Sequence, residues 1–389
     1  MQKNYASAVI FLLLVSLVIA KIPRTDVTVS GFSSGGAMAT QLHFALSNDI
    51  SGCGVLAGPP YYCGGNGMTM AICLNGPVSF ISVSAMQTAL NSNALYRSID
   101  SLSNIRNDPV YAFSGKYDTV VLHGIAILNE QLYTRFGANV KTNFNMLVHH
   151  GFPTDNFGGK CDELNKPNFI NNCNFNLAYD MLNHLYGGNL LKPDRNSQTS
   201  LTGNMFLFDQ VGFMNTPLSL ITSQNPSSIK SQWIEKNMIL YSLRNGEQPT
   251  LNLFNLTIAN ASEIQTTTTR SSLSGFDKQG FVYFPSACIS GQKCSIHVAL
   301  HGCQMGKSYI GDVFVTKAGY LEVAELNNII VIFPQILAST AFPINAMGCW
   351  DFWGYSSIYY ATRNGPQISG IKKMIDTVRM INTAFVGVH

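Results

Sequence analysis

Charge is scarce in this chain. Of 389 residues only 12% are Asp, Glu, Lys or Arg, and the formal net charge is +3. The Lys and Arg residues are scattered rather than blocked, which argues against a nucleic-acid partner. Apolar runs of membrane-spanning length are also missing. The longest, Ala8–Ala20, is too short for a comfortable span, so no integral membrane association is expected. No Cys-x-x-Cys spacing occurs, and no zinc framework or other metal site is expected. Hydrophobic residues make up 46% of the chain, enough for a sizeable core and far from a disordered composition.

The N-terminus carries an address. Lys3 precedes the apolar run, and Val18-Ile19-Ala20 places small residues for cleavage after Ala20. Residues 1–20 read as a secretory signal peptide, leaving 21–389 as the mature chain of a secreted protein. Export makes the nine cysteines a disulfide question. Spacing pairs Cys63 with Cys73, Cys161 with Cys173, and Cys288 with Cys294. Cys53 lies in an apolar strand-like run, Cys53–Ala57, and reads as an unpaired buried thiol. Asn255-Leu-Thr and Asn260-Ala-Ser are glycosylation sequons and mark a surface segment.

Most of the chemistry is organised around Val27–Gly36. A β-branched run, Val27-Thr28-Val29, feeds Gly31-Phe-Ser33-Ser-Gly35 and then a helix-like stretch, Ala37–Leu46. This is the pattern of a nucleophile elbow. A serine hydroxyl is a weak nucleophile that must stand exposed within reach of a base. A sharp strand-to-helix turn supplies that, and the flanking glycines leave room for the backbone. The strand begins within about six residues of Ala20, whereas an α/β-hydrolase nucleophile normally follows several earlier strands.

Further along, Val110–Phe113 reads as a buried strand, with Asp118 just past its end. That is the carboxyl edge of a parallel sheet, where a triad acid belongs. Phe144–Val148 reads as another strand, leading to His149 and His150, where a base belongs. The order Ser…Asp…His is that of α/β-hydrolases. From about 190 to 275 the composition turns to Asn, Ser and Thr, including Thr266–Thr269, and reads as a loop-rich insert. A second α/β half then begins. It has strands at Phe281–Phe284, in the run Cys294–His301 and at Ile329–Phe333, a helix over Val313–Leu326, and a closing amphipathic helix over Gly370–Ile381. His301-Gly302-Cys303 is similar to the strand-end His-Gly loop that supplies an oxyanion amide in lipases and esterases, but it follows the elbow instead of preceding it. Circular permutation accounts for both oddities, since the missing early strands would lie at the C-terminal end.

Five motifs stand in one order: Gly-Phe-Ser-Ser-Gly-Gly, Ser-Gly-x-x-Asp, His-Gly-Phe-Pro-Thr-Asp, Leu-His-Gly-Cys and Gly-Cys-Trp-Asp-Phe-Trp-Gly-Tyr. Together they resemble the secreted poly(3-hydroxybutyrate) depolymerases of the circularly permuted, single-domain kind, from the elbow to the last helix less the insert. The resemblance implies a circularly permuted α/β-hydrolase fold, with a mostly parallel central sheet and helices on both faces. It implies Ser33 as nucleophile, Asp118 as acid and His150, rather than His149, as base. The amides of Ser34 and Cys303 would form the oxyanion hole, and the crevice tryptophan falls within Trp350–Trp353. It also implies a Cys303–Cys349 disulfide tying the oxyanion loop to that aromatic segment. Phe352 stands where a Trp is usual. Many relatives carry a C-terminal polymer-binding module, and none is expected here.

The expected function is a serine esterase acting on hydroxyalkanoate polyester or oligomers through an acyl-enzyme, as a monomer, with no cofactor. Two other readings stand beside it. The same triad could serve feruloyl or acetyl esters on polysaccharide, or the fold could serve a glycosylated surface or binding protein without turnover. For Trp350 and Trp353, core packing is the plainer alternative to a substrate wall.

Overall fold

The computed structural model describes residues 27–65, 67–195, 199–216, 233–234, 236–241 and 274–386. Residues 1–20, expected to be a signal peptide, the sequons at Asn255 and Asn260, and Thr266–Thr269 lie outside the described residues.

The strands are β1 (Val27–Phe32), β2 (Ile50–Leu56), β3 (Pro109–Phe113), β4 (Asn139–Asn143), β5 (Phe152–Thr154), β6 (Gly159–Lys160), β7 (Ile170–Asn172), β8 (Asn204–Asp209), β9 (Met238–Tyr241), β10 (Gln279–Phe284), β11 (Ser295–Leu300) and β12 (Ile329–Phe333). Nine of the described strands form one sheet in the order β4-β3-β2-β1-β11-β12-β10-β8-β9. The first six run parallel, and β10, β8 and β9 extend the sheet antiparallel. The early strand β1 pairs directly with the late strand β11, Val27 opposite Ile296 and Gly31 opposite Leu300. That seam is what circular permutation produces: strands from the end of the chain fill the places beside the elbow strand.

Side chains alternate across the pleat and feed two cores. Val27 and Val29 of β1, Ile296 and Val298 of β11, and Ile330 and Ile332 of β12 point to one face. There they meet α1 (Ser34–Ala45), the helix Leu128–Arg135 and the closing helix Pro366–Val386. Phe32, Ala299, Val331 and Phe333 point to the other face, against the helices Leu177–Leu185 and Tyr320–Asn327. Ile329–Phe333 is wholly buried, as an apolar strand covered on both faces must be.

Three local expectations need correction. The strand expected at Phe144–Val148 lies instead at Asn139–Asn143, paired in register with Pro109–Phe113. As the sheet's edge it is largely polar and only partly covered, so hydrophobicity misplaced it. The apolar run after it caps a turn, with Lys116 and Tyr117 donating to the carbonyls of Met146 and Val148 at 2.9 and 3.1 Å. The helix expected over Val313–Leu326 is two helices, Val313–Lys317 and Tyr320–Asn327, broken at Gly319 with φ 83°. The insert is not only loop: Asn204–Asp209 and Met238–Tyr241 add two strands to the main sheet. Phe206 and Phe208 of the first are buried, a short apolar run hidden within an Asn/Ser/Thr-rich stretch.

Candidate active site

Ser33 stands between β1 and α1 at φ 57°, ψ −121°. A non-glycine residue rarely holds such a backbone, and here tight packing imposes it. A Cβ on Gly31 would sit 2.1 Å from the carbonyl oxygen of Gly35, and one on Gly35 would sit 2.5 Å from the carbonyl oxygens of both Leu300 and His301. The elbow therefore needs glycine at both positions. The Ser33 N–H donates to Leu56 O at 2.8 Å, fixing the turn to β2. Ser34 opens α1, whose first amides have no partner within the helix.

Asp118 lies just beyond β3 in a turn closed by its own N–H to Gly115 O at 3.2 Å. Its Oδ1 accepts the N–H groups of Val120 and Val121, both at 2.9 Å, and its Oδ2 meets His150 Nδ1 at 2.8 Å. An ionised carboxylate only accepts, so Nδ1 carries the hydrogen and Nε2 is left as the basic nitrogen. Both side chains are buried. The imidazole lies between Phe32, 4.8 Å between ring centroids, and Phe169 at 6.0 Å. Phe32 is the residue immediately before Ser33, so His150 and the elbow share one packing unit. Behind the histidine, β5-β7-β6 forms a small sheet. Asn171 on β7 abuts Gly151, and Phe152 N–H donates to Phe169 O at 2.8 Å. The Cys161–Cys173 disulfide closes that unit. His149 stands aside against the Tyr117 ring at 5.9 Å.

On the other side of Ser33 runs the loop His301-Gly302-Cys303. A Cβ on Gly302 would lie 3.2 Å from that of Ser33. His301 Nε2 accepts the Ile336 N–H at 3.2 Å, so Nδ1–H donates to Gly302 O at 2.8 Å. Burial lowers its pKa to about 4. Cys303 is bonded to Cys349, and the next residue's amide, Trp350 N–H, donates to Ser34 Oγ at 3.3 Å. The other three bridges are Cys63–Cys73, Cys161–Cys173 and Cys288–Cys294, with Cys53 free and buried.

The two tryptophans part company. Trp350 is fully buried, packed on His301 at 5.5 Å and Phe276 at 6.1 Å, and belongs to the floor beneath the loop. Trp353 is partly exposed, braced by Phe352 and Tyr355 at 4.8 Å each. His297 and His301 form a His-x-x-x-His spacing that the reading of the sequence as free of zinc patterns overlooked, one that suits zinc when it lies on a helix. They lie on and just after a strand instead, with both rings committed to other partners.

Sequence reasoning passed over Phe169, Asn171 and Asp351. The first two have no local signal, because their role arises only when β7 folds beside His150. Asp351 did carry one: an acidic residue three positions before a glycine, a turn-forming arrangement.

A parallel sheet, a Gly-x-Ser-x-Gly elbow at its centre and an Asp–His pair at its carboxyl edge define the α/β-hydrolase class. No family model matches the chain. Over 374 residues it is 34% identical to the poly(3-hydroxybutyrate) depolymerase of Delftia acidovorans, covering 94% of this chain and 62% of that protein's length. It is 30% identical over 382 residues to the polyhydroxybutyrate depolymerase of Talaromyces funiculosus, covering 93% and 91% of the two chains. The crystal structure of PHB depolymerase from Penicillium funiculosum superposes with a TM-score of 0.70 at 27% identity, covering 93% of this chain and 96% of that one. A serine-to-alanine PHB depolymerase complexed with an R3HB trimer matches equally well, at TM-score 0.70 and 26% identity over 92% and 96%. The chain belongs to the polyhydroxybutyrate depolymerase family. Among its described residues no helix is long and apolar enough to cross a membrane.

Proposed function

We propose that this protein is a secreted serine esterase that hydrolyses poly(3-hydroxybutyrate)-type polyesters or their oligomers. The observation that carries the proposal is the Asp118–His150 pair at 2.8 Å, with its imidazole packed at a tilt against the residue preceding a strained, glycine-flanked Ser33.

In this reading Nε2 of His150 takes the proton of Ser33 Oγ as that oxygen attacks the ester carbonyl. Asp118 holds the tautomer and stabilises the imidazolium. The amides of Ser34 and Cys303 receive the developing oxyanion, each contributing on the order of 3 kcal/mol. The tetrahedral intermediate collapses, His150 protonates the departing hydroxyl, and an acyl-enzyme remains on Ser33. Water, deprotonated by His150, then releases the hydroxyacid. This sequence needs no metal or organic cofactor. We assign the substrate contact to Trp353, which is partly exposed, rather than to Trp350, which is fully buried.

The four disulfides support an oxidising destination. We assign residues 1–20 as the export signal, 21–389 as one catalytic domain, Asn255 and Asn260 as glycan sites, and the monomer as the working unit.

A fluorophosphonate probe should label the wild type and not Ser33→Ala; labelling of both would place the nucleophile elsewhere. On a panel of hydroxybutyrate oligomers, p-nitrophenyl esters and feruloyl esters, turnover of the oligomers is expected. Activity confined to feruloyl esters would assign the triad to a different substrate class.

A further inference from the structure

We infer that Asp351 is a positioning residue that sets the substrate rim of the site by folding the turn that presents Trp353, an inference that rests on the polyester reading above. Asp351 is fully buried, and the hydrogen bonds of its carboxylate go to the turn that follows it. Its Oδ1 accepts backbone N–H groups from Trp353 at 3.2 Å, Gly354 at 2.6 Å and Tyr355 at 3.1 Å. Its Oδ2 accepts the Ser356 N–H at 2.8 Å and the Ser356 hydroxyl at 2.6 Å. Five donors thus converge on one side chain, and four consecutive amides are wound around it. Gly354, at φ 90°, supplies the bend.

The same residue is bolted to the catalytic frame through its backbone. Its carbonyl accepts from Gln41 Nε2 of α1 at 2.9 Å, and its N–H donates to Gln367 Oε1 of the closing helix at 2.9 Å. One residue earlier, Trp350 N–H reaches Ser34 Oγ. The turn is therefore registered against the helix that begins at the elbow, and it carries the partly exposed Trp353. Across from it, Gly64 packs so closely on Phe352 that a Cβ would lie 2.2 Å from the Phe352 carbonyl oxygen. The Cys63–Cys73 loop thus backs the turn from one side.

A carboxylate suits this position because it accepts at every lone pair and donates nothing. Asparagine has the same shape but turns an NH2 group toward N–H donors, so at least one amide loses its acceptor. The turn then opens and Trp353 loses its fixed place while the elbow, built from other contacts, stays.

The test uses the full mature protein with Asp351→Asn, the milder Ser356→Ala, and Trp353→Ala as reference. Reading KM against kcat, Asp351→Asn should raise KM for a hydroxybutyrate trimer about tenfold, and Ser356→Ala about two- to threefold, with kcat and p-nitrophenyl acetate hydrolysis within about twofold of wild type. The double variant Asp351→Asn/Trp353→Ala should be no worse on the trimer than Trp353→Ala alone. Multiplying effects, or an equal loss on both esters, would overturn the inference. A second readout is independent of substrate. In a Trp233→Phe background, which removes the indole packed on Phe213, Asp351→Asn should raise acrylamide quenching of tryptophan fluorescence; unchanged quenching counts against it. If the wild type leaves the trimer uncut while the probe still labels Ser33, the polyester reading fails, and quenching alone decides the role of Asp351.

Discussion

His297 stands opposite Thr28 in the parallel register of β11 and β1, and the two side chains meet at 2.7 Å across 269 residues of chain. The same ring meets Ser30 Oγ at 2.7 Å through its other nitrogen. Thr28 Oγ1 donates to Tyr186 OH at 3.0 Å, so it accepts from His297 Nδ1–H, and Nε2 accepts from Ser30. Tyr320 OH in turn meets Ser30 Oγ at 2.8 Å. A neutral imidazole with one defined tautomer thus cross-links the seam at which the two ends of the chain join, three residues before Ser33. A slip by one residue would turn Thr28 and Ser30 into the opposite, aliphatic core, so the polar pair also fixes register.

That arrangement makes stability depend on pH. Burial depresses His297 to about 3 and His301 to about 4, against an ordinary value near 6.5. Below pH 6.5 the unfolded chain protonates both rings and the folded chain does not. Their contribution is therefore complete above pH 6.5 and is lost as pH falls toward 4, at about 1.4 kcal/mol per pH unit for each ring. Urea unfolding at pH 7.5, 6.5, 5.5 and 4.5 should show this fall, with a shallower slope in His297→Gln. Constant stability from 6.5 to 4.5 would contradict the assignment.

Asp118→Asn should keep the fold and lose the chemistry. Its Oδ1 accepts from Val120 and Val121, which an asparagine oxygen retains only by turning its NH2 toward His150. The ring must then accept at Nδ1 and carry its hydrogen on Nε2, the wrong tautomer for taking a proton from Ser33. A kcat loss on the order of 10³- to 10⁴-fold is expected, with the melting temperature little changed. Steady-state kinetics on a soluble ester checks it.

Gly35→Ala should damage both stability and activity. The new Cβ would lie 2.5 Å from two backbone carbonyl oxygens, those of Leu300 and His301, neither the movable end of a side chain. The elbow and the oxyanion loop must separate, at about 2–4 kcal/mol in unfolding free energy. Gly311→Ala makes a useful contrast, because that glycine has open space around it and only its φ of 62° resists. Equal effects of the two on the fluorophosphonate labelling rate would show that the close approach at Gly35 is unimportant.

Much of this was legible because the elements that carry it are governed by local rules. The elbow declared itself through a β-branched run, three glycines and a serine, and Ile329–Phe333 through five consecutive apolar residues. Strand ends pointed to Ser33 and Asp118, whereas the preference for His150 over His149 came from the family resemblance, since no strand runs over Phe144–Val148. Illegible parts depended on partners distant in sequence. Asn139–Asn143 is a strand because β3 lies beside it, not because its residues favour one. Trp350 looked like Trp353 in the sequence, and only the packing of His301 and Phe276 sends one to the core and leaves the other at the rim. Asn171 supports His150 through a small sheet that no periodicity announces.

Cys53 offers a check on the whole cysteine assignment. It sits on β2, fully buried, and burial pushes its thiol up to about 12, so neither access nor ionisation favours attack. Four bridges use eight of the nine cysteines, leaving this one. Iodoacetamide should therefore leave the native protein unmodified and add a single label, at Cys53, once the unreduced protein is unfolded. Cys53→Ser should cost about 1 kcal/mol by burying a more polar hydroxyl beside Tyr133, the thiol's hydrogen-bond partner, with catalysis unchanged per folded molecule. Peptide mapping by mass spectrometry decides the outcome. A label at Cys303 or Cys349 would mean that the oxyanion loop is not tied to the aromatic segment. Rapid labelling of Cys53 in the native state would mean that the β2 side of the sheet opens far more readily than its packing implies.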